Sequence, residues 1–588
     1  MLGDPAVLEV EVAGSLHRAP VTGSGEVRVG PLRVRVEDRC AGSGGLIRWS
    51  VGADGPAVPV RRVGLVFPVT GGPAPLRMFR HGYQSWSPTG VATFGVDEDP
   101  SRRADFEFLQ AVHHADQRTA RAGELRSEAV TVLAGAPGST VLVGFAGGDR
   151  HDGTLRLRPA EALPGTAAEL VAEAFLGDAR LDPGEPRVLA DVLLDGDGAP
   201  DPVGRLERWA DEVGRRGGAR TGAAPVVGWC SWYQYFGDVT EAVLAENLAR
   251  AADWPFRLFQ LDDGYQAGIG DWLRTNDRFP GGVEGVASRI AAAGLVPGLW
   301  LAPFLVAPDS PLCTRHPDWV ARHPSGDPLI AWWNPAWGGG RDGFMYALDT
   351  THPEVTAHLR ELAAALVAMG YRYLKLDFTF APGVDGIWAD PTMTPAQRVR
   401  AGFDAIRDGA GADTFLLGCG VPLGAVVGVV DGCRIGQDVA PRWSLRSDEE
   451  VVAGYLDTQP ATRHAYVNTL ARAFQHRRLW SNDPDCVMLR TTGTELDAAQ
   501  VRTWAQTVGV SGGMVLASDD LALLGPDARA LLDEVLELSA IADAAARAGH
   551  GARVPDLLEH REPRRLTVDG LELETDPATG VSRLSRSR

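Results

Sequence analysis

The first 200 or so residues of the chain alternate apolar and polar positions with a period of two. The clearest stretches are VLEVEVAG, EVRVGPLRVRVED, LIRWSVGADG and GSTVLVGFAGG, and glycine and proline separate them. A period of two places successive side chains on opposite faces of a strand. Many short strands at such spacing are typical of a large antiparallel sandwich. We therefore predict an N-terminal β-supersandwich domain over residues 1–215.

A different pattern begins after the segment GRRGGARTGAAPVVG, which is rich in glycine and marks a domain boundary near residue 220. Short apolar strands now alternate with segments of helical length. The predicted strands lie in PVVGWCSW, FRLFQLDDG, LVPGLWLAP, YRYLKLDF, TFLLGCG, GCRIGQD, RRLWSND and GGMVLAS. The predicted helices cover residues 239–252, 283–294, 353–369, 394–408, 460–474 and 496–509. Eight such repeats in roughly 310 residues fit a (β/α)8 TIM barrel better than an open sheet.

We place this barrel at residues 222–538. The sequence pattern is weaker in its fifth repeat and in the segment that follows it toward the C-terminus. In the fifth repeat, VPLGAVVGVV predicts only a short helix broken by glycine. Toward the C-terminus, RRLTVDGLELET predicts one β-hairpin, so residues 540–588 are expected to form a small β-domain. The predicted fold class is thus multidomain α/β and β, with a central TIM barrel.

The charge and the cysteine content limit the kinds of partner and the cellular compartment that we expect for this protein. The formal charge is −19, which repels nucleic acid and anionic membranes. The N-terminus has no signal-peptide pattern, and no run of about 18 apolar residues occurs. The six cysteines are far apart and form no C-x-x-C pair, which indicates free thiols. We expect a cytoplasmic protein with a small-molecule partner, and a homo-oligomer stays open.

Lys375 is the only lysine of the sequence, since arginine supplies every other basic side chain. It stands two residues before Asp377 on a predicted strand, so both side chains point to one face. An ammonium is a compact donor of three hydrogen bonds, whereas a guanidinium is a broad planar fork. A pocket for a single sugar ring has room for the ammonium and not for the fork. The retained lysine therefore indicates such a pocket.

Catalytic groups of TIM barrels lie at the C-terminal ends of the strands. The side chains at these ends are Trp229, Ser231, Asp262, Asp263, Trp300, Lys375, Asp377, Cys419, Arg434, Asp438, Asn482, Asp483, Ser518 and Asp519. An aspartate at such a position also serves as a cap of the following helix or turn. Capping does not require an ammonium two residues upstream, so Lys375 and Asp377 favour chemistry.

Glycoside hydrolysis needs two carboxyl groups, one to attack or to activate water and one to protonate the leaving oxygen. Asp377 and Asp438 end the fourth and sixth predicted strands, on nearly opposite sides of the barrel mouth. Lys375 and Arg434 would keep these carboxylates ionised or bind hydroxyls. No phosphate-binding glycine motif and no His-x-His pair occur. We therefore expect neither a cofactor nor a metal.

The strand ends taken together resemble glycoside hydrolase family 36, the bacterial and archaeal α-galactosidases or melibiases, and especially its short members. The matching segments are GWCSWYQYF, FQLDDGYQAGIGDWL, PGLWLAPF, HPDWV, YALD, GYRYLKLDF, LGCGVPL, DGCRIGQDVAPRW and LWSNDPDCVMLR. Another segment, GYQSWS at residues 82–87, resembles the loop with which the family's N-terminal β-domain reaches the barrel mouth.

The resemblance implies a retaining exo-α-galactosidase, which releases terminal galactose from oligosaccharides such as melibiose or raffinose by double displacement. Asp377 would be the nucleophile and Asp438 the general acid and base, with carboxyl groups about 5–5.5 Å apart. Asp262 and Asp263 would hold the 4- and 6-hydroxyls, and Lys375 would donate to the ring hydroxyls. The remaining implied substrate-binding residues are Arg434, Trp229, Trp300, Cys419, Tyr83 and Trp86.

Two positions depart from the family's pattern. Longer members read Lys-Trp-Asp-x-Asn at the nucleophile, whereas this chain has Leu376 and Thr379 at the second and last positions. Tyr83 stands where related short enzymes carry tryptophan. The first departure affects recognition at C2 of the sugar, and the second affects the wall on the leaving-group side.

Alternatives of several classes stay open at this stage. On the same scaffold, α-N-acetylgalactosaminidase or α-galactosyl transglycosidase activity differs only at the C2 and leaving-group sides. A Schiff-base lyase would use a lone barrel lysine, but Asp377 beside Lys375 favours the charged, unreactive form. A sugar-binding protein without activity predicts loss of a carboxylate, yet both Asp377 and Asp438 are present.

Overall fold

A computed structural model of the chain describes residues 2–38, 44–70, 75–99, 120–135, 138–163, 165–196, 201–337, 343–445 and 460–586. Of the six predicted free cysteines, Cys40 lies outside these residues. The other five have free thiols.

The N-terminal part forms two antiparallel sheets. Their strands are β1 (Val7–Val12), β2 (Ser15–Pro20), β3 (Gly25–Val29), β4 (Leu32–Asp38), β5 (Gly44–Ala53), β6 (Val58–Val69), β7 (Arg77–Arg80), β8 (Gly90–Thr93), β9 (Leu125–Glu128), β10 (Val130–Ala134), β11 (Thr140–Phe145), β12 (Asp152–Arg158), β13 (Ala168–Leu181), β14 (Arg187–Val188) and β15 (Val192–Asp195). One sheet has the order β2-β1-β6-β13-β12-β9. The other has the order β3-β4-β5-β15-β11-β10-β7-β8, and β14 pairs with β5.

The period-two pattern explains why these sheets pack face to face. On β4, Val34 and Val36 are buried while Arg35 between them is exposed. Apolar side chains from both sheets, such as Val34 of β4 and Leu65 of β6, meet in one continuous core. The predicted N-terminal sandwich is confirmed.

Eight parallel strands form the barrel, and three further strands are inserted after the third of them. In chain order the strands are β16 (Val227–Cys230), β17 (Leu258–Leu261), β18 (Val296–Leu301), β19 (Leu305–Val306), β20 (Ile330–Trp333), β21 (Phe344–Ala347), β22 (Tyr373–Leu376), β23 (Phe415–Gly418), β24 (Gly432–Arg434), β25 (Ser481–Asp483) and β26 (Val515–Ala517). The barrel order is β25-β24-β23-β22-β18-β17-β16-β26. Its ends approach where the Met514 N–H donates to the Asn482 carbonyl over 2.8 Å. The predicted TIM barrel is confirmed.

Helices enclose the barrel and connect it to its neighbours. They are α1 (Pro202–Gly217), α2 (Trp232–Tyr235), α3 (Glu241–Ala251), α4 (Gly282–Ala292), α5 (Pro311–Arg315), α6 (Pro353–Ala368), α7 (Pro395–Ala410), α8 (Thr462–Ala471), α9 (Ala498–Ser511) and α10 (Pro526–Arg547). Every helix predicted for the barrel is present within a few residues of its expected limits. In the fifth repeat, a 3-10 turn at Leu423–Val426 stands in place of a full helix, because the segment is broken by glycine.

The sequence pattern does not predict the inserted sheet of β19, β20 and β21. Its strands are too short and too rich in tryptophan to show a clear period. This sheet lies directly after β18, so it extends from the mouth of the barrel.

The C-terminal part departs in detail from the prediction. Helix α10 runs through the expected boundary at residues 538–540. Three strands rather than one hairpin follow it: β27 (Arg565–Val568), β28 (Leu571–Asp576) and β29 (Val581–Arg586). The exact domain limits, the cytoplasmic location and a homo-oligomer stay predictions. Within the described ranges, no helix combines the length and apolar character needed to span a membrane.

Candidate active site

Lys375 and Asp377 lie side by side at the C-terminal end of β22. The Lys375 ammonium is 2.9 Å from Asp262 Oδ2 and 3.9 Å from Asp377 Oδ2. Burial alone would lower the pKa of Lys375, but the two carboxylates outweigh it and raise the pKa well above its usual value. The lone lysine of the sequence is therefore a fixed positive charge between two acids.

Asp377 is held by two N–H donors besides this ammonium. The Trp300 indole donates to Oδ2 over 3.0 Å, and the backbone N–H of Phe378 donates to Oδ1 over 2.8 Å. Phe378 has a φ of 52°, a left-handed conformation that costs a bulky residue roughly 1–2 kcal/mol. Burial and the charge of Asp438 raise the pKa of Asp377, whereas Lys375 and the Trp300 N–H oppose this rise. The carboxylate is fixed in orientation.

Arg434 joins Asp438 to the end of the neighbouring strand. Its guanidinium contacts Asp438 Oδ1 at 2.8 Å, Asp483 Oδ2 at 3.0 Å and Asp485 Oδ1 at 2.8 Å. The Asp438 side chain keeps 33% of its surface exposed, whereas Asp483 and Asp485 are fully buried. Asp438 is thus oriented by Arg434 and still open to a ligand.

Asp485 is a residue of this cluster that the strand pattern misses. The Tyr233 hydroxyl donates to its Oδ2, and so does the Val439 N–H over 2.9 Å. Burial raises the pKa of Asp485 to about 7, although Arg434 opposes this rise. Asp485 stands beyond the end of β25 with a φ of 90°, so strand alternation cannot place it. The D-P-D spacing at residues 483–485 is its only signal in the sequence.

Asp262 is surrounded by polar groups of the first two barrel strands. Its Oδ2 accepts from the Gln260 amide over 2.5 Å, and its backbone N–H donates to the Ser231 hydroxyl over 2.9 Å. The Cys230 thiol also lies 3.5 Å from Oδ2. Together with Lys375, these contacts fix Asp262 at the base of the site.

Asp263 lies at the rim beside the inserted sheet. Its two carboxylate oxygens accept from the Gln266 amide and from the Trp337 indole N–H, each over 2.6 Å. Burial raises the pKa of Asp263 to about 6, with smaller contributions from Asp262 and Asp377, and the two donors limit the rise. Asp263 therefore titrates in the range of mildly acidic buffers.

Aromatic rings from three elements enclose the Asp377 side of the mouth. Trp86 of the N-terminal domain meets Phe378 edge-on, with ring centroids 5.0 Å apart. Trp332 and Trp337 of the insertion lie 5.2 Å and 4.9 Å from the same ring. The sequence pattern predicts Trp86 and misses the other two, because nothing in it shows where the insertion folds.

Two candidate walls lie away from this cluster. Trp229 is fully buried, stacks on Phe259 at 4.3 Å and donates to the Asp519 carbonyl. Its strand neighbour Cys230, and not Trp229, faces the carboxylates. The Tyr83 ring packs against Phe175 of the N-terminal domain. Trp229 thus packs on the outer side of its strand, and the described packing of Tyr83 is with the N-terminal domain.

The other strand-end candidates have mixed surroundings. Cys419 is fully buried, and its backbone N–H donates to the carbonyl of Leu376, the residue before Asp377, over 2.8 Å. Burial raises the pKa of its thiol. Ser518 donates to the Cys230 carbonyl over 2.9 Å. Asp519 pairs with Arg490 at 2.9 Å. These last two contacts support the strand ends and leave no group directed at the mouth.

A match to a known family covers the first half of the barrel. Residues 218–380 fit the family model named Melibiase. The chain carries a melibiase domain. This domain reaches from the approach to β16 past the end of β22, so it contains Asp262, Asp263, Trp300, Lys375 and Asp377. The family resemblance seen in the sequence is confirmed.

Individual α-galactosidases also resemble this chain. TtGalA, an α-galactosidase from Thermus thermophilus solved with p-nitrophenyl α-D-galactopyranoside, is 27% identical with a TM-score of 0.70, covering 97% of this chain and 99% of that chain. α-Galactosidase AgaA from Geobacillus stearothermophilus is 31% identical over 102 residues, which are 16% of this chain and 14% of that protein. α-Galactosidase C from Emericella nidulans is 34% identical over 108 residues, 15% of this chain and 14% of that protein. The matched segments thus span about a seventh of these two curated relatives.

Proposed function

We propose that this chain is a retaining exo-α-galactosidase that removes terminal α-D-galactosyl residues from oligosaccharides. The observation that carries the proposal is the pair of unequal aspartates at the barrel mouth. Asp377 is buried beside Lys375, whereas Asp438 is one-third exposed and bound to Arg434. Retaining glycosidases use one carboxyl group as the nucleophile and the other as the acid and base, and this pair can supply both roles. The likeness to an α-galactosidase solved with a nitrophenyl galactoside supports the sugar.

In the first step, the Asp377 carboxylate attacks the anomeric carbon while Asp438 protonates the departing oxygen. The bond to the leaving group breaks, and a galactosyl ester of Asp377 forms. In the second step, Asp438 takes a proton from water, whose oxygen displaces Asp377 and restores the original anomeric configuration. Lys375 and the Trp300 N–H keep Asp377 ionised for the attack.

The sugar is held mainly by charged groups. Asp262 and Asp263 are placed to accept hydrogen bonds from its hydroxyls, and Lys375 is placed to donate to others. Charge-assisted hydrogen bonds of this kind are stronger than neutral ones. A neutral hexose suits the site because it adds no charge to two carboxylates that Lys375 offsets only in part.

The deciding experiment is inactivation with 2-deoxy-2-fluoro-galactosyl fluoride, followed by mass mapping of the labelled peptide. Fluorine at C2 slows both steps, while fluoride leaves readily, so a galactosyl ester accumulates. The label is expected on Asp377. A label on another residue, or a first product with the β-configuration by proton NMR, would contradict double displacement through Asp377.

The same protein preparation can test the alternative of α-N-acetylgalactosaminidase activity, whose substrate differs from a galactoside at C2. Hydrolysis of nitrophenyl α-galactoside is expected, and its N-acetylamino analogue should be a poor substrate. Thr379 offers no free hydroxyl hydrogen for an N-acetyl group, because its side chain is fully buried and donates to the Cys419 carbonyl over 3.0 Å. Faster turnover of the N-acetyl analogue would replace galactose by N-acetylgalactosamine as the preferred sugar.

Replacing Lys375 by arginine is expected to lower kcat/KM by roughly 100-fold, although the charge is conserved. The side chain is 4% exposed, and its ammonium lies between Asp262 and Asp377. Overpacking such a site costs about 1–3 kcal/mol, and about 2.7 kcal/mol corresponds to this factor. Steady-state kinetics with nitrophenyl α-galactoside measure the loss. The comparison variant Lys375→Met keeps the aliphatic part of the side chain without its charge. Near-normal activity of Lys375→Arg would refute the argument from size.

Replacing Trp337 by phenylalanine is expected to move the acidic limb of the kcat/KM profile to higher pH by about one unit. Ionised Asp263 accepts hydrogen bonds from sugar hydroxyls more strongly than the protonated form, so activity falls as the pH drops through its pKa of about 6. Loss of the indole N–H removes a donor that stabilises the carboxylate and thereby raises that pKa. Trp333→Phe, on a neighbouring and 43% exposed ring, is the matched control. An unshifted limb in Trp337→Phe would mean that another group sets it.

A further inference from the structure

One arginine from the barrel binds almost the whole backbone of the loop that carries Trp86. Arg472 follows helix α8 and is fully buried. Its guanidinium donates to the carbonyl oxygens of Ser85 (2.6 Å), Ile435 (2.9 Å), Gln84 (3.0 Å), Ser87 (3.2 Å) and Gly82 (3.3 Å). Four of these acceptors belong to residues 82–87, and the fifth directly follows Arg434. The side chain thus connects the N-terminal domain with the strand end that orients Asp438.

The chemistry of this contact is unusual for a buried charge. Among the described residues, Arg472 forms no ion pair with a carboxylate, and burial lowers the pKa of its guanidinium. A buried charge is costly unless many hydrogen bonds compensate for it. Only the fork of arginine offers five N–H donors in fixed directions. A lysine has three donors on one atom and cannot reach carbonyls spread along the whole loop.

Neighbouring groups hold Arg472 and the loop in register. Asn482 at the end of β25 donates to the Arg472 carbonyl over 3.2 Å. Asn468 of α8 donates to the Ser87 carbonyl over 3.0 Å and accepts from the Thr89 N–H over 2.9 Å. Asn482 is a strand-end candidate of the sequence pattern, and its place here is in support of the loop.

The position of residues 82–87 affects the Asp377 carboxylate through the Trp86 ring. A Cβ atom added at Gly420 would lie 3.0 Å from the Trp86 ring, so the ring has no free space on that side. On another side Trp86 meets Phe378, whose N–H holds Asp377. A shift of the loop therefore changes the packing of the residue that orients the nucleophile.

We propose that Arg472 is a positioning residue, which acts on the proposed galactoside chemistry by holding Trp86 against Phe378. Its effect on turnover rests on the proposed function, whereas its effect on the loop does not. The same guanidinium fixes the Ile435 carbonyl and so sets the distance between the Trp86 loop and the Arg434 strand end.

A double-mutant cycle tests the route through Trp86. Arg472→Lys is expected to lower kcat/KM for stachyose roughly tenfold in the wild-type background and less than twofold when Trp86 is already alanine. Assays are run well below the melting temperature of each variant. A full tenfold loss in the Trp86→Ala background would show that Arg472 does not act through that ring, and would overturn the proposal.

Amide hydrogen exchange gives a readout that needs no activity. Residues 82–87 are expected to exchange at least tenfold faster in Arg472→Lys, while the β22 and β23 peptides stay protected. Arg477→Lys is the matched control, since Arg477 is also buried but donates to carbonyls of Thr221 and Ala223, away from the loop. Unchanged exchange in the loop would refute the proposal. Faster exchange in a protein without galactosidase activity would uphold the positioning and refute the proposed function alone.

Discussion

Alanine in place of Asp377 is expected to lower hydrolysis of α-galactosides by about 10⁴-fold or more, with sugar binding largely kept. Lys375 lies 3.9 Å from this carboxylate, and the Trp300 N–H donates to it. Without it, no galactosyl ester can form, and water has no base on that side of the ring. Binding persists because Asp262 and Asp263 are still present to hold the hydroxyls.

Two measurements check this result. Turnover of nitrophenyl α-galactoside measures the loss of hydrolysis, and calorimetry with galactose measures the retained binding. Asp527→Ala, an exposed acid on the first turn of α10, is the control for an aspartate removed from the surface. Addition of azide offers a second check, since a small anion can enter the space left by the side chain and yield β-galactosyl azide. Wild-type-like turnover of Asp377→Ala would end the assignment of the nucleophile.

The second large effect is expected at Asp438. Its replacement by alanine should slow hydrolysis of stachyose by about 10³-fold, within the usual range for loss of a general acid. Nitrophenolate leaves without protonation, so the first step with nitrophenyl α-galactoside should be far less affected. Rapid-quench measurement of the first turnover separates that step from the slow hydrolysis of the ester.

Asp485→Asn is an instructive comparison for this variant. Asp485 shares Arg434 with Asp438 but is fully buried, so it does not touch the leaving group. Its loss should impair both substrates to a similar degree. If Asp438→Ala lowered the first turnover of both substrates equally, Asp438 would not be the acid, and its contact with Arg434 would be structural.

The sequence predicts the barrel and the central acids well, because period, length and spacing are local properties. Eight apolar strands with intervening helices have few alternatives to a TIM barrel. Lys375 and Asp377, two residues apart on one strand, must share a face once the strand is recognised. The structure brings together Asp262, Lys375 and Asp377 as this rule requires.

The same rule explains why other candidate side chains lie elsewhere in the structure. Alternation places Trp229 at the mouth, but the Trp229 ring stacks on Phe259 and its neighbour Cys230 lies beside Asp262. A shift of one residue in a short strand exchanges the two faces. Trp337 and Asp485 lie beyond strand ends, where backbone turns and not periodicity decide direction. Tyr83 shows a further limit, because strand periodicity in the barrel cannot place the side chains of a loop from the other domain.

The contact between Arg472 and residues 82–87 bears on how this protein can be divided or recombined. A barrel expressed alone would keep the acids but bury a guanidinium whose four loop acceptors are gone. The barrel therefore depends on the N-terminal β-domain. A chimera that joins this barrel to another protein must include residues 82–87. Evolution and protein engineering therefore both have to keep the two domains together.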